Sequence, residues 1–162
     1  MDPLFAPPGE SWQSVSPKLM HVRRIVLSLN VVVLMVALSV PLWFLWEWAG
    51  LGLAAGVGIT VLVWGLLLIP RNWRAWGYAE RADDFLVTHG VLFRKLTVVP
   101  YGRMQFVDVA SGPLERRYGL ATVQLHTASP ATDAKVPGLP AEEAARLRDR
   151  LSALGEAQAA GL

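Results

Sequence analysis

The sequence predicts a membrane-inserted α-helical hairpin joined to a small α+β domain. Three features carry that expectation: two long uncharged apolar runs parted by a single residue, a change to strand-like patterning after Arg71, and an amphipathic helix near the end. The chain has 162 residues, of which 53% are hydrophobic and 17% charged, with a mean hydropathy of +0.37. An ordinary soluble domain is about 25% charged, so the apolar excess points away from that class. Intrinsic disorder is excluded as the dominant state on the same grounds. With no cysteine, the chain has no disulfide framework, thiolate metal cage or cysteine nucleophile. A net charge of +2 is too small to imply nucleic acid.

The apolar runs are Ile25–Trp46 and Trp48–Ile69, each 22 residues without a charge. At 1.5 Å per residue such a run reaches about 33 Å, enough for a hydrocarbon core about 30 Å thick. Allowing for a reversal around Trp46–Gly50, the spans are expected at 25–44 and 50–69. Lys18, Arg23 and Arg24 precede them, Arg71 and Arg74 follow, and the turn between them holds no Lys or Arg. Positive residues favour the cytoplasmic side, so both termini are expected in the cytoplasm, with Trp73 as an interfacial anchor among those basic residues. Asn30 and Ser28 are candidates for hydrogen bonds from one span to the other. Gly52 and Gly56 form a GxxxG, a small-residue face that lets helices approach closely; it reads first as packing within the hairpin and second as a docking face for another protein. No ionisable side chain lies at mid-membrane, so an ion pathway has no evident carrier.

Residues 1–15 hold three prolines and no periodicity, the pattern of a flexible arm. Ser16-Pro17 then opens a basic interfacial helix that leads into the first span, so 16–70 forms the membrane part. From 71 to 155 a cytoplasmic domain is expected, with strands near 75–80, 84–89, 91–99, 105–111, 120–127 and 132–136. His89-Gly90 reads as a tight hairpin turn. Pro140 opens a final helix in which Glu142 and Arg146 are an i,i+4 pair and Ala144, Leu147, Leu151 and Leu154 make the apolar stripe. Gly155 is placed to end it, leaving 156–162 as a disordered tail. Several strands followed by one helix suggest a curved sheet or split barrel plugged by that helix.

No catalytic, cofactor-binding or metal-ligating set emerges. Asp83 and Asp84, beside Glu80, read as solvated turn residues rather than a divalent-metal site, and His89 and His126 lack metal-ligand spacing. The basic residues read first as solvated or intradomain pairs; Arg116, Arg117 and Tyr118, together with Arg94 and Lys95, are the alternative candidates for a contact surface with a partner or anionic lipid.

The run Gly90-Val-Leu-Phe-Arg-Lys, the segment from Val98 through Val109 (VVPYGRMQFVDV) and Gly112 through Ala121 (GPLERRYGLA) resemble the bacterial pleckstrin-homology-like family of YdbS-like membrane proteins. Pro137-Gly-Leu-Pro, the Glu-Ala-Ala-Arg-Leu-Arg helix and the Ser-Pro-Lys-Leu entry to the spans fit the same pattern, so the resemblance covers about 16–155. It implies a PH-like fold of two orthogonal antiparallel sheets closed by a C-terminal helix, on the inner face of a bacterial cell membrane. It also implies pairing with a larger membrane protein carrying several such domains. The chain departs from phosphoinositide-binding PH domains in its acidic first loop, Glu80-Arg81-Ala82-Asp83-Asp84, which would repel a phosphorylated head group. The function expected is a non-catalytic interaction or scaffold subunit of a cell-envelope complex, with homo-oligomerisation open. The alternatives are a module sensing anionic lipid or membrane state, and a small accessory subunit of a transporter or membrane enzyme.

Overall fold

A computed structural model describes residues 5, 7, 9–129 and 132–159. The described part of the expected arm and tail therefore excludes 1–4, 6, 8 and 160–162. The elements in order are α1 (Lys18–Arg74), β1 (Gly77–Glu80), β2 (Asp84–His89), β3 (Lys95–Pro100), a 3-10 turn (Tyr101–Arg103), β4 (Met104–Ala110), α2 (Pro113–Arg117), β5 (Leu120–Thr127), β6 (Ala134–Pro140) and α3 (Ala141–Ala159). They divide into two compact units. One is Met20–Arg71; the other is built from both flanks, Met1–Leu19 with Asn72–Leu162.

The first unit is the greater part of α1, long and apolar enough to cross a membrane, with only 6% of its most apolar 18-residue window buried. Helical geometry is interrupted at Trp46 (φ −139°, ψ 19°) and Glu47 (φ 45°, ψ −122°), within the stretch where a reversal was expected. Glu47 is the sole non-glycine residue at positive φ among those described. Residues before and after this break face each other. A Cβ at Gly50 would collide with the Leu42 carbonyl, one at Gly58 with the Met35 side chain, and one at Gly65 would lie 2.5 Å from Leu27 Cδ2. Trp43 and Trp48 meet edge to face at 5.1 Å. Polar side chains inside the segment bond their own helix: Asn30 donates to the Val26 carbonyl and Thr60 to the Gly56 carbonyl, each at 2.8 Å. Asn30 therefore makes no bond across to the second segment; an amide one turn from a carbonyl is satisfied locally.

In the second unit, β1-β2-β3 and β4-β5-β6 form two three-stranded antiparallel sheets. Register shifts at Met104/Phe106 and Ala121/Val123 bend the second sheet, because a bulge inserts an unpaired residue and increases local twist. The core joins Phe85, Tyr101, Val123, Leu125 and Val136 with the α3 stripe of Ala144, Leu147 and Leu151, all fully enclosed. α3 does not stop at Gly155 but continues to Ala159. A Cβ there would meet Met104 Cε at 3.5 Å and the Tyr101 carbonyl at 3.7 Å, ordinary van der Waals contacts, so Gly155 sits in a continuous helix without a turn or close approach that requires it.

Two local expectations change. The region around Leu114–Tyr118 contains a one-turn helix, started by Pro113 and capped at that same end by the Glu115 carboxylate, which accepts from the Gly112 N–H at 2.9 Å. The N-terminal arm is not free along its length. Gln13 and Tyr78 exchange backbone hydrogen bonds of 2.8 and 3.0 Å, and the Ser16 N–H donates to the Gly138 carbonyl at 3.0 Å. Val15 is buried at 1% exposure and Leu19 at 3%. Local pattern could not reveal this, since the partners of residues 13–16 on Trp73, Tyr78 and Gly138 lie 57 or more positions away.

Candidate functional site

Where the arm, β1, β6 and the start of α3 converge, they enclose a cleft of about 580 Å³. Its wall is a charge network. Arg146 reaches Glu80 Oε1 at 2.7 Å and Glu143 Oε1 at 2.6 Å, and Arg150 Nε lies 3.1 Å from Glu80 Oε2. The Glu80 side chain is 7% exposed, so two guanidiniums face one nearly enclosed carboxylate. The Tyr78 hydroxyl donates to Gln13 Oε1 at 2.6 Å and lies 3.2 Å from Glu143 Oε1. Burial, then the Glu143 charge, push the Tyr78 phenol far above its ordinary range, while the Arg146 hydrogen bond holds Glu143 below the usual carboxylate range. At neutral pH every charge here is matched, so the network fastens arm, sheet and helix together. The expected Glu142–Arg146 pair gives way to Glu143–Arg146, because Glu143 is on the helix side that meets β1.

A second feature lies at the β2–β3 connection. His89 pairs with Lys95, so the turn is not a tight one at His89-Gly90 but a five-residue loop, Gly90–Arg94. Gly90 has φ +103°, and a Cβ there would collide with the Phe93 carbonyl, which explains the glycine. Within the loop Leu92 is 87% and Phe93 90% exposed. Val91 through Phe93 had read as the start of a strand, because apolar residues beside a strand look buried in sequence. Trp76 stacks on His89 at 4.8 Å, and burial followed by the Lys95 charge lowers the imidazole's pKa.

The sequence-derived contact residues fall on separate elements. Arg94 and Lys95 are exposed at the start of β3, whereas Arg116 and Arg117 are exposed on α2, which packs on β5 of the other sheet, with Tyr118 half-buried. Lys18, Arg24, Arg71 and Arg74 are exposed and Arg23 is half-buried. Trp73 donates its indole N–H to the Val15 and Ser16 carbonyls at 3.0 and 3.2 Å, making it a fastener of the arm. Gly52 and Gly56 do not pack the two segments of α1 together: a Cβ at either would meet open space. They line an outward groove with Leu53, Val57, Thr60 and Val61. GxxxG spacing puts two glycines on one face but does not say which way that face turns.

His126 lies between Asp133 (Nδ1–Oδ2 3.2 Å) and Asp108 (Nε2–Oδ2 3.4 Å) and stacks on Phe106 at 4.4 Å. The Thr127 N–H, donating at 2.9 Å, is the main cause of the lowered Asp133 pKa. Among the described residues no three His, Asp or Glu side chains come together as a metal site.

The profile described as "Bacterial PH domain" matches residues 22–155. The UPF0699 transmembrane protein YdbS of Bacillus subtilis (strain 168) is 31% identical over 139 residues, covering 85% of this chain and 86% of its own. No solved structure matches the chain significantly. The profile takes in both the apolar helix and the two-sheet unit, and the relative is alike over nearly its full length, which makes this chain a member of the bacterial PH domain family.

Proposed function

We propose that the chain is a non-catalytic interaction module held at the inner face of a bacterial cell membrane by a transmembrane hairpin. In this reading both termini are cytoplasmic and a larger membrane protein with several PH-like domains is the partner. The observation that carries the anchoring is the composition of the folded domain. Both flanks of the apolar segment, up to Leu19 and from Asn72, belong to one compact unit. They are stitched by backbone bonds from Gln13 to Tyr78 and from Ser16 to Gly138. A segment whose two ends enter the same domain crosses a bilayer an even number of times. The break at Trp46–Glu47 and the facing pairs on either side of it fit two crossings. Anchoring concentrates the domain beside membrane partners without any added contact, and the outward Gly52/Gly56 groove is a helix-sized face for one of them.

Because the chain lacks cysteine, single cysteines test the topology. In intact cells a membrane-impermeant maleimide should label Trp48→Cys, and should label Ala82→Cys only after permeabilisation. Labelling of Ala82→Cys from outside would overturn the arrangement. For the partner, crosslinking in native membranes at native expression should recover a second membrane protein, and consistent recovery of the chain alone would count against the scaffold role.

A further inference from the structure

We propose that the β2–β3 loop, Val91-Leu92-Phe93 followed by Arg94 and Lys95, is a lipid-inserting tip that docks the first sheet onto an anionic bilayer surface. This rests on the membrane-anchored reading above and adds to it a second, non-helical point of attachment. Phe93 and Leu92, at 90% and 87%, are more exposed than any large apolar side chain of the membrane helix, where the highest value is 84% at Phe44. A soluble surface gains nothing from two adjacent apolar side chains held fully in water.

Topology says where the tip points. β2 pairs antiparallel with β1, with Gly77 opposite Thr88, so the loop leaves the sheet at the end where the chain enters β1. Trp76, stacked on His89, marks that end. Ile69, the last residue of the second apolar run, precedes Trp76 by only seven positions. Charge agrees with the placement. From Phe85 to Val107 there is no acidic residue, and Arg94 and Lys95 adjoin the apolar tip. Acidic residues gather at the opposite end of the same sheet, at Glu80, Asp83 and Asp84. An apolar tip with basic shoulders is complementary to a negative leaflet: the tip enters the acyl boundary and the cations stay with the head groups.

The test uses the full chain in proteoliposomes, with a fluorophore sensitive to its surroundings on a single cysteine at Val91→Cys, which preserves Leu92 and Phe93. Ala82→Cys, at the far end of the sheet, and Phe44→Cys, on the apolar helix, are the references. In bilayers containing phosphatidylglycerol, nitroxide-bearing lipid should quench position 91 but not 82, and aqueous iodide should do the reverse. Leu92→Ser with Phe93→Ser should abolish lipid quenching at 91. Lys95→Gln should lower the ratio of inserted to free tip roughly fivefold. Iodide access at 91 equal to that at 82 overturns the proposal. Protection from iodide without nitroxide quenching also overturns it, because a protein surface then covers the loop. If position 44 is quenched and 91 is not, the tip proposal alone fails; if 44 is not quenched either, the membrane-anchored reading fails with it.

Discussion

Glu80 has two cations and almost no water. Its carboxylate is 7% exposed between Arg146 and Arg150, and the Arg150 contact lacks hydrogen-bond alignment, since Glu80 Oε2 has no hydrogen-bond partner. Arg146→Met keeps the stem and removes the better-aligned cation. A buried group left short of a partner costs about 1–3 kcal/mol, and thermal unfolding in detergent should register a loss of that order. Glu142→Gln, on the exposed side of α3, should stay within about 0.5 kcal/mol of the parent. Acid and alkali act on the same cluster with opposite signs. The Glu143 pKa is depressed in the folded state by Arg146, so its contribution is complete above about pH 4.3 and is lost as pH falls through the folded value. The Tyr78 phenol is raised, and Tyr101 is pushed up to about 12, chiefly by burial. Their contribution is complete below about pH 10 and is lost above it. Unfolding free energy measured against pH should therefore hold a plateau and fall on both sides. His89, kept neutral by burial, gives up stability below about pH 6.5, and Asp133 adds to the loss at lower pH. Glu143→Gln should therefore flatten part of the acid limb, and Tyr78→Phe part of the alkaline one; unchanged slopes would refute the assignments. At this scale the sequence showed that α3 carries acid early and base later. It could not show that Arg146 chooses Glu143 and Glu80, because that choice depends on where β1 passes.

Among the elements, faces mattered more than boundaries. β2 (Asp84–His89) and β5 (Leu120–Thr127) lie where period and propensity placed them, since apolar residues bounded by charged or glycine-containing turns leave little freedom. Faces were harder to read. The GxxxG residues turn outward while Gly50, Gly58 and Gly65 take the close approaches. Gly58→Leu with Gly65→Leu should force the segments of α1 apart, seen as faster proteolysis and loss of excimer signal between pyrenes on Trp43→Cys and Trp48→Cys, whose rings meet at 5.1 Å. Gly52→Leu with Gly56→Leu should leave that signal intact, and any loss of a crosslinked partner would then report on the groove. Gly138 has φ +69°, with Leu19 Cβ 2.8 Å from where its own Cβ would stand. Gly138→Ala should therefore loosen the arm, measured as faster hydrogen exchange at the Ser16 N–H. The 91–93 loop was misread for a general reason: burial is a property of the fold, and three apolar residues beside a strand look alike whether they lie inside or at its tip.

At the scale of the molecule, composition already separated an apolar segment from a mixed α+β remainder, and the family match spans both. What stayed hidden was the arm. Prolines near the start read as disorder, yet Gln13, Val15 and Ser16 complete the domain through bonds to Tyr78 and Gly138. Deleting residues 1–16 should destabilise the domain although it removes no strand or core helix, with increased protease sensitivity after Thr127 as the measure; an unchanged digestion pattern would contradict the role given to the arm. The same arrangement sets an order of events during synthesis. Residues 13–16 are made before the apolar stretch, and their seats at Tyr78 and Gly138 emerge from the ribosome only after the whole of that stretch has been translated. On the proposed topology, a nascent chain that threads the lipid once instead of twice strands its beginning on the wrong side, with Tyr78 left bare as a mark of faulty insertion for quality-control proteases.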